Sequence, residues 1–327
     1  MDVQETHKPT AAPSWVAVDW GTSNLRVWVM DAEGGIISAL KSDKGMSGLV
    51  SADYETVLVD LLSEHLRAES VNAPLPVVVC GMAGSRSGWL DAGYVDLPVT
   101  ASELMGSTVS VPTDDKRLSV HVLSGLRQMH PADVMRGEET QLVGFAESNP
   151  GFVGHLCLPG THSKWVMFEA GRIANSQTVM TGELFDILRN HSILANSVAS
   201  EADAGLSTAA FLEGVERGYS NAGAALGQLF SLRAEDLVGY GRTNHERLAV
   251  LSGLLVGSEF LTVAPSADLP IVFIGSGKLG PLYKRAARHL GFDGDSISGE
   301  ELVLLGLKRA YETLKASETR NAQEMAQ

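Results

Sequence analysis

The chain has 327 residues, a length that predicts about two domains. Its 39 acidic and 25 basic residues give a formal net charge of −14. This charge argues against a general binder of nucleic acid or of anionic membranes, because both need a basic surface. A small anionic substrate is not excluded, since it responds to local charge. The 34 glycines exceed the usual share of roughly 7%, which indicates sharp bends or close backbone approaches.

The two cysteines, Cys80 and Cys157, form neither a C-x-x-C pair nor a disulfide framework, so we expect a cytoplasmic protein. The residues up to Pro13 lack the apolar core of a signal peptide. The longest apolar region, 248–264, contains serines, glycines and Glu259. This composition favours a buried helix with small residues on one side over a membrane span. The sequence leaves open whether the chain forms a homo-oligomer.

The first half begins with three short apolar segments that are separated by tight turns, at 15–19, 25–30 and 36–40. Such segments predict three strands in an antiparallel meander. Apolar residues at helical spacing then predict a helix over 54–68. The continuous apolar run PVVVC at 76–80 is typical of a buried parallel strand.

The second half repeats this order of elements. Three strands are followed by a helix, two further helical stretches, a buried strand and a last helix, predicted at 152–158, 164–168, 173–179, 182–194, 209–230, 247–262, 270–274 and 281–290. We therefore predict an α/β protein of two similar lobes with a nucleotide cleft between them. The N-terminal lobe would span 14–135 and the C-terminal lobe 136–316, with flexible tails at 1–13 and 317–327.

The first tight turn follows Asp19 in the pattern D-x-G-T-x-x-x-R. Its Gly21, Thr22 and Ser23 present N–H and hydroxyl groups that suit phosphate oxygens, and the carboxylate of Asp19 suits Mg²⁺. An ordinary hairpin with Asp19 as a turn former would contain the same residues. A matching turn in the second half favours the functional interpretation, because two such hairpins can hold a triphosphate; it consists of Gly160, Thr161, His162 and Ser163.

A predicted strand-to-helix junction at 136–141 carries Glu138 and Glu139 in the first helical turn. Acidic residues there complement the helix dipole, which contributes roughly 0.3–1 kcal/mol. A carboxylate at such a junction also suits a general base that orients or deprotonates an attacking hydroxyl. The residues alone favour neither interpretation.

The segment Gly275-Ser276-Gly277-Lys278-Leu279-Gly280 matches the dinucleotide pattern G-x-G-x-x-G after a strand and before a helix. Only about fifty residues follow it, too few for the remaining strands of a dinucleotide-binding fold. The close turn and the following helix N-terminus instead predict a contact to adenosine or phosphate.

Several polar residues near strand ends are candidate contacts for an anionic sugar acid, since Arg in particular matches a carboxylate. Taken one at a time, each is more often an ordinary surface residue. The substrate candidates are Asn24, Arg26, Ser85, Arg86, Arg136 and Lys164. Cys157 falls inside an apolar strand, so inert burial is favoured over a nucleophilic pair with His162.

Seven segments occur in a fixed order between about residue 15 and about residue 314: WVAVDWGTSNLRVW, CGMAGSRSGW, MRGEETQLVGF, LPGTHSKWV, TGELFDIL, LSGLLVGSE and FIGSG. Together they resemble the 2-dehydro-3-deoxygalactonokinases, which belong to the sugar kinase, Hsp70 and actin superfamily. The resemblance implies transfer of the ATP γ-phosphoryl group to the 6-hydroxyl of 2-dehydro-3-deoxy-D-galactonate, in galactonate catabolism. It also implies the duplicated, ribonuclease H-like architecture of that superfamily.

The resemblance implies Mg²⁺ at Asp19. The candidate residues for ATP are Gly21, Thr22, Ser23, Gly160, Thr161, His162, Gly275, Ser276 and Gly277. The Gly-Glu-Glu element also resembles the catalytic-glutamate segment of exopolyphosphatases, which favours Glu138 as the base and Glu139 second. Most sugar kinases of the superfamily use Asp as the base, so this sequence departs from the wider pattern there.

Other functions share some of these features. An exopolyphosphatase-like hydrolase would use the same phosphate turns without a sugar, and a kinase for another 2-keto-3-deoxy sugar acid would differ in a stereocentre that residue spacing does not reveal. A nicotinamide dehydrogenase would depend on the G-x-G-x-x-G match alone. A sugar-sensing module would bind without turnover, and the presence of Asp19 and Glu138 disfavours it.

Overall fold

The structure is a computed structural model that describes residues 12–67, 71, 73–169, 171–199, 207–220, 223–275 and 277–325. Within it the chain forms two compact units. Of the described residues, the first unit takes those within Met1–Phe152, Ala170–Ala174 and Glu300–Gln327, and the second takes those within Val153–Glu169 and Asn175–Gly299.

The strands, in chain order, are β1 (Trp15–Trp20), β2 (Leu25–Met30), β3 (Ile36–Ser42), β4 (Leu75–Gly81), β5 (Tyr94–Asp96), β6 (Val99–Thr100), β7 (Thr108–Val111), β8 (Leu118–Leu123), β9 (Gly125–Met129), β10 (Ala132–Met135), β11 (Gly154–Leu158), β12 (Ser163–Glu169), β13 (Arg172–Val179), β14 (Ile271–Ile274) and β15 (Gly294–Ile297). The α-helices are α1 (Asp53–Leu61), α2 (Ala101–Met105), α3 (Glu138–Ser148), α4 (Thr181–His191), α5 (Thr208–Tyr219), α6 (Ala224–Leu237), α7 (Asn244–Val263), α8 (Leu279–His289) and α9 (Glu300–Met325).

The main sheet of the first unit has the strand order β3-β2-β1-β4-β8-β7. The β1–β2 and β2–β3 pairs are antiparallel, as the predicted meander requires, and β4 lies parallel to both β1 and β8. The side chains of β1 and β4 are almost all buried, which explains why both strands appear in the sequence as continuous apolar runs. A second, three-stranded sheet joins β10, β9 and β5.

The sheet of the second unit repeats the first. Its order β15-β14-β11-β12-β13 matches β8-β4-β1-β2-β3, with an antiparallel pair β11–β12 and parallel pairs β11–β14 and β14–β15. Arg172 and Ile173, at the start of β13, pair antiparallel with β6. The predicted duplication of an α/β unit is therefore confirmed at the level of strand order and direction.

The bounds of the two units differ from those of the predicted lobes. Helix α3 and the C-terminal helix α9 both belong to the first unit, because they cross at very close range: a side chain at Gly144 would collide with the backbone of Leu302, and one at Gly306 with that of Thr140. Residues 317–325, predicted as a flexible tail, continue α9 as helix. Residues 1–11, 326 and 327 lie outside the described part of the chain.

The predicted single helical stretch at 209–230 is two helices, α5 and α6, with Gly223 as the N-cap of the second. The predicted buried helix with small residues at 248–264 is confirmed as α7, whose residues are buried along most of its length. Among the residues that the structure describes, none of the helices combines the length and the apolar character needed to cross a membrane.

Part of the glycine excess lies where α5 and α7 cross. A Cβ atom at any of four positions would strike the backbone of the facing helix, and these are Gly214, Gly218, Gly253 and Gly257. The two helices therefore pack with their backbones almost in contact, which only glycine permits.

We expect Gly253→Ala to lower the free energy of unfolding by about 3 kcal/mol, at the upper end of the usual overpacking range. The added Cβ would lie 2.8 Å from Gly214 Cα, so the helices must separate. The matched control is Gly227→Ala on α6, where the Cβ would meet nothing within 4 Å. That control should gain about 0.5–1 kcal/mol from helix propensity. Urea unfolding of both variants measures the difference, and equal midpoints would contradict the close crossing.

Candidate active site

The first predicted phosphate turn is held rigidly by its own backbone and by a neighbouring 3₁₀ turn. The N–H of Gly21 donates to the carbonyl of Asn24 at 2.8 Å. Met46 donates its N–H to the carbonyl of Gly21 at 3.1 Å, and Ser47 donates its N–H to that of Thr22 at 3.0 Å. Thr22, Ser23 and Asn24 remain exposed. The turn therefore presents its hydroxyl groups to solvent on a fixed backbone, which suits a phosphate site.

Asp19 lies at the carboxyl end of β1, with Arg26 of β2 and Cys80 of β4 as its direct cross-strand neighbours. Its Oδ2 accepts hydrogen bonds from Arg26 Nε at 3.0 Å and from Arg26 Nη2. Its Oδ1 lies 3.7 Å from Cys80 Sγ. Nη1 of Arg26 also lies 3.8 Å from Glu300 Oε1. Arg26 is a predicted substrate contact. In the structure its guanidinium orients the carboxylate of Asp19.

Two glycines allow the N-terminus of α3 to approach the ends of β1 and β4. Gly81, the last residue of β4, has a φ of 88°, and a Cβ there would lie 2.6 Å from the carbonyl oxygen of Trp20. Gly137, the N-cap of α3, has a φ of 103°, and a Cβ there would lie 3.4 Å from Gly81 Cα. Any L-residue at these positions would be strained. The first turn of α3, with Glu138 and Glu139, is therefore fixed beside the strand end that carries Asp19.

The two glutamates of α3 occupy different environments. Glu138 is partly exposed, and its Oε2 accepts the N–H of Arg136 at 3.2 Å. Glu139 is fully buried, and its Oε2 accepts the N–H of Gly137 at 2.5 Å. Burial, followed by the negative charge of Glu138, raises the pKa of Glu139 to about 8, against the hydrogen bonds that it accepts. At pH 7 Glu139 is therefore protonated and inaccessible, which favours Glu138 as the group that meets a substrate.

The raised pKa of Glu139 predicts that stability falls as pH rises. Below pH 4.5, its ordinary pKa, the carboxyl is protonated in the folded and unfolded chains alike and contributes no pH dependence. Between pH 4.5 and about 8 the unfolded chain releases this proton while the folded chain keeps it. The free energy of unfolding then falls by up to about 1.4 kcal/mol per pH unit.

Glu139→Gln removes this dependence, so we expect its stability relative to the unmodified chain to increase from pH 5 to pH 8. Urea unfolding at pH 5, 6.5 and 8 measures the effect. A difference between the two proteins that stays constant over this range would contradict the buried, protonated state of Glu139.

Two of the predicted substrate arginines lie in contrasting positions. Arg136 packs its guanidinium 4.5 Å from the ring centroid of Tyr94 and donates from Nη2 to the carbonyl of Gly93 at 2.8 Å. Its Nε and Nη1 are buried and have no hydrogen-bond partner among the described residues. Arg86 is 92% exposed, with its Nε 3.6 Å from a carboxylate oxygen of Asp91. Arg136 therefore has guanidinium donors without a partner among the described residues just before α3, and Arg86 is a solvated surface group. The neighbouring candidate, Ser85, directs its hydroxyl to Met46 Sδ at 3.3 Å.

The turn of the second unit has the same construction as the first. Gly160 donates its N–H to Ser163 Oγ at 3.5 Å, while Thr161 and His162 are exposed. Glu183, in the first turn of α4, donates its N–H to the carbonyl of Thr161 at 2.9 Å. A Cβ at Gly182 would collide with Gly160. In both units a hairpin of glycine and hydroxyl-bearing residues is thus held in place by an adjacent helical turn, through two backbone N–H groups in the first unit and one in the second.

Two predicted ligand residues of this turn have partners of their own. The ring Nε2 of His162 lies 2.6 Å from Glu183 Oε2. Lys164 is buried, and its Nζ donates to the carbonyl of His162 at 2.9 Å. Glu183 and Gly182 were not singled out from the sequence, although the segment TGELFDIL contains both. The role of these two residues depends on the contact of α4 with a turn about twenty residues earlier, so only the folded structure reveals it.

The glycine-rich segment 275–280 leaves the sheet beside this turn. Strands β11 and β14 are parallel neighbours, so the residues that follow them leave the sheet at the same edge. Gly275 donates its N–H to the carbonyl of Ile297 at 3.1 Å, and a Cβ on Gly275 would lie 3.9 Å from Pro159. Gly277 has a φ of 67° and precedes α8. Ser276 lies outside the described residues.

The described residues contain no group of three or more His, Cys, Asp or Glu side chains that could enclose a metal ion. A magnesium ion usually takes only one or two protein carboxylates and fills its other positions with water and substrate phosphates. Asp19 offers one carboxylate, whose Oδ1 lies outside the ion pair with Arg26. The donor set therefore fits a cation that enters together with a nucleotide.

The chain matches known proteins along nearly its whole length. The family model described as 2-keto-3-deoxy-galactonokinase matches residues 19–310. A protein of Rhizobium meliloti (strain 1021), named a probable 2-dehydro-3-deoxygalactonokinase, is 39% identical over 92% of this chain and 97% of its own. The 2-dehydro-3-deoxygalactonokinase of Escherichia coli (strain K12) is 31% identical over 90% of this chain and 96% of its own.

A solved structure from Sinorhizobium meliloti, described there as a candidate 2-dehydro-3-deoxygalactonokinase, superimposes with a TM-score of 0.83. It is 37% identical and covers 92% of this chain and 99% of its own. These matches confirm the resemblance drawn from the seven sequence segments and do not favour an exopolyphosphatase-like hydrolase. The chain belongs to the 2-keto-3-deoxy-galactonokinase family.

Proposed function

We propose that the chain transfers the γ-phosphoryl group of ATP to the 6-hydroxyl of 2-dehydro-3-deoxy-D-galactonate. Family membership over nearly the whole chain supports the activity. The observation that carries the chemistry is the convergence of α3 and β1, which fixes Glu138 beside the strand end of Asp19 through the close approach of Gly81 and Gly137.

In this proposal Glu138 acts as the general base. Its carboxylate orients the 6-hydroxyl and accepts the proton as the hydroxyl oxygen bonds to the γ-phosphorus and the bond from that phosphorus to the departing ADP oxygen breaks. Asp19 is held by Arg26 in a fixed rotamer, ready to face a cation that enters with ATP. A Mg²⁺ ion bound there would neutralise charge on the phosphate oxygens. Glu139 stays protonated and fixes the backbone of Gly137.

The hydroxyl-bearing turns would bind the nucleotide. In the first unit Gly21, Thr22 and Ser23 contribute, because their turn is rigid and exposed. In the second unit Gly160, Thr161 and His162 would contact phosphate, and Gly275, Ser276 and Gly277 would contact adenosine. The shared sheet edge of β11 and β14 supports assigning these two segments of the second unit to one ligand.

For the carboxylate of the sugar acid, Arg136 is our first candidate, since its Nε and Nη1 lie just before α3 and have no hydrogen-bond partner in the described part of the chain. Asn24, Arg26, Ser85, Arg86 and Lys164 complete the proposed substrate contacts. Cys80 and Cys157 are free thiols, which supports a cytoplasmic location. The proposal also includes assembly of the chain into a homo-oligomer.

The test is an ADP-release assay with ATP and Mg²⁺ over several 2-keto-3-deoxy sugar acids, including the galactonate-derived and gluconate-derived epimers. We expect ADP release that depends on the sugar acid and is fastest with 2-dehydro-3-deoxygalactonate. Parallel measurement of inorganic phosphate is the control, because a hydrolase would release phosphate without any sugar. Phosphate release without a sugar acid would refute the proposed activity. Failure to release ADP with every acid tested would refute it as well.

A further inference from the structure

Glu259 is a buried carboxyl group near the C-terminal end of α7, with 1% of its surface exposed. It accepts hydrogen bonds from side chains on three other elements. Trp165 Nε1 of β12 donates at 2.6 Å, the hydroxyl of Tyr283 on α8 donates at 2.7 Å, and the hydroxyl of Thr181 on α4 donates as well. Burial raises the pKa of Glu259, and these hydrogen bonds act against that rise.

Each of the three partners belongs to an element that adjoins a proposed nucleotide segment. Trp165 lies on the strand that leaves the turn of Gly160 and Thr161. Thr181 begins α4, whose next two residues hold that turn. Tyr283 lies on α8, which follows Gly277.

The network also reaches the turn directly. The hydroxyl of Tyr283 lies 3.1 Å from Ser163 Oγ, and Ser163 Oγ in turn accepts the N–H of Gly160. A chain of hydrogen bonds therefore runs from Glu259 to the backbone of the phosphate turn. Because the network is buried, its geometry is sharply defined. Replacing or displacing any member would leave a polar group without a hydrogen-bond partner.

Burying a carboxyl group costs free energy of desolvation, and an apolar side chain of similar volume would pack equally well or better. We propose that Glu259 is a positioning residue for the nucleotide: it fixes the Gly160 turn, the start of α4 and α8 in the arrangement that binds the phosphates of ATP. This inference rests on the proposed kinase function and assigns to Glu259 no contact with the ligand.

The test is Glu259→Gln in the full chain, with the dissociation constant of ATP in the presence of Mg²⁺ measured by calorimetry. Glutamine keeps the volume, but one acceptor oxygen becomes an amide donor. Trp165 can only donate, so the amide oxygen must stay with it. The hydroxyl groups of Thr181 and Tyr283 must then reverse to accept, which disturbs Ser163 and the turn. We expect ATP to bind at least tenfold more weakly, while KM for the sugar acid changes less than twofold.

The matched control is Leu251→Ala, which also alters a fully buried side chain of α7. It should lower the melting temperature without weakening ATP binding. Tyr283→Phe should weaken ATP binding by about threefold, and combining it with Glu259→Gln should add nothing, since both act through the same hydroxyl group. If Glu259→Gln lowers the melting temperature like Leu251→Ala and keeps the ATP affinity, the positioning role is wrong.

Failure of this inference can be told apart from failure of the proposed function. An unmodified chain that binds ATP but does not phosphorylate a sugar acid would refute the kinase activity and leave the ATP affinities of the variants as a valid test of Glu259. A chain that turns over while Glu259→Gln binds ATP normally would refute only the role of Glu259. An unmodified chain without nucleotide binding would overturn both.

Discussion

Replacement of Asp19 by asparagine is expected to lower kcat by about 10³-fold, at the upper end of the effect of removing one preorganised electrostatic group. Asparagine keeps the shape of the side chain at the end of β1 but carries no charge. It therefore neutralises neither a bound cation nor Arg26, whose Nε lies 3.0 Å from the carboxylate. The unpaired guanidinium of Arg26 would then bind phosphate oxygens and shift them from their productive position.

A Mg²⁺ titration of ADP release measures this effect. The matched control is Asp31→Asn, which neutralises a buried carboxylate in the turn between β2 and β3. This carboxylate accepts the N–H of Gly35 at 2.6 Å, at the opposite end of β2 from the phosphate turn. That control should lose stability but keep its response to the metal. An Asp19→Asn variant with an unchanged Mg²⁺ titration curve would show that this carboxylate does not act with the cation.

The parts of the fold that the sequence predicted share a physical reason. Strands β1 and β4 are buried on both faces, so their apolar runs are continuous and end abruptly at a glycine. The same holds for β14 in the second unit. Because consecutive elements repeat in both halves, the sequence could also predict the duplicated order, which the two sheets confirm.

The small sheet of β5, β9 and β10 was not predicted. Its strands have three to five residues and many exposed side chains, so they show neither a long apolar run nor a clear alternation. The packing of helix α9 against α3 was missed for a different reason. This contact depends on Gly144 and Gly306, and a single glycine in a helical pattern does not reveal which helix approaches it.

For the candidate site, the sequence located the turns and the glutamates but not their partners. The register Asp19 with Arg26 follows from the four-residue turn between β1 and β2, so this ion pair was within reach of sequence reasoning. Glu259 was not, because its hydrogen-bond partners include Trp165, which is 94 residues away. In a helix that is apolar on all sides, one carboxyl group gives no indication of the strand or helix it faces.

The second large effect concerns the base. We expect Glu138→Gln to lower kcat at least about a hundredfold, within the range for loss of a general base. Glutamine at the start of α3 can still accept the N–H of Arg136 but cannot take a proton from a hydroxyl. KM for ATP should change little, because the phosphate turns are untouched. The comparison is Glu139→Gln, expected to lose less than tenfold at pH 7, since an amide resembles the protonated carboxyl that it replaces.

A second measurement separates loss of the base from loss of structure. The charge of Glu138 is the second-largest cause that raises the pKa of Glu139. Glu138→Gln removes that charge, so the pKa of Glu139 falls and the folded chain resists alkaline pH better. The variant should therefore be less active yet more stable than the unmodified chain at pH 8, and damage to the fold cannot produce that combination. Near-normal turnover would exclude Glu138 as the base, and a loss of stability at pH 8 that parallels the loss of activity would attribute that loss to the fold.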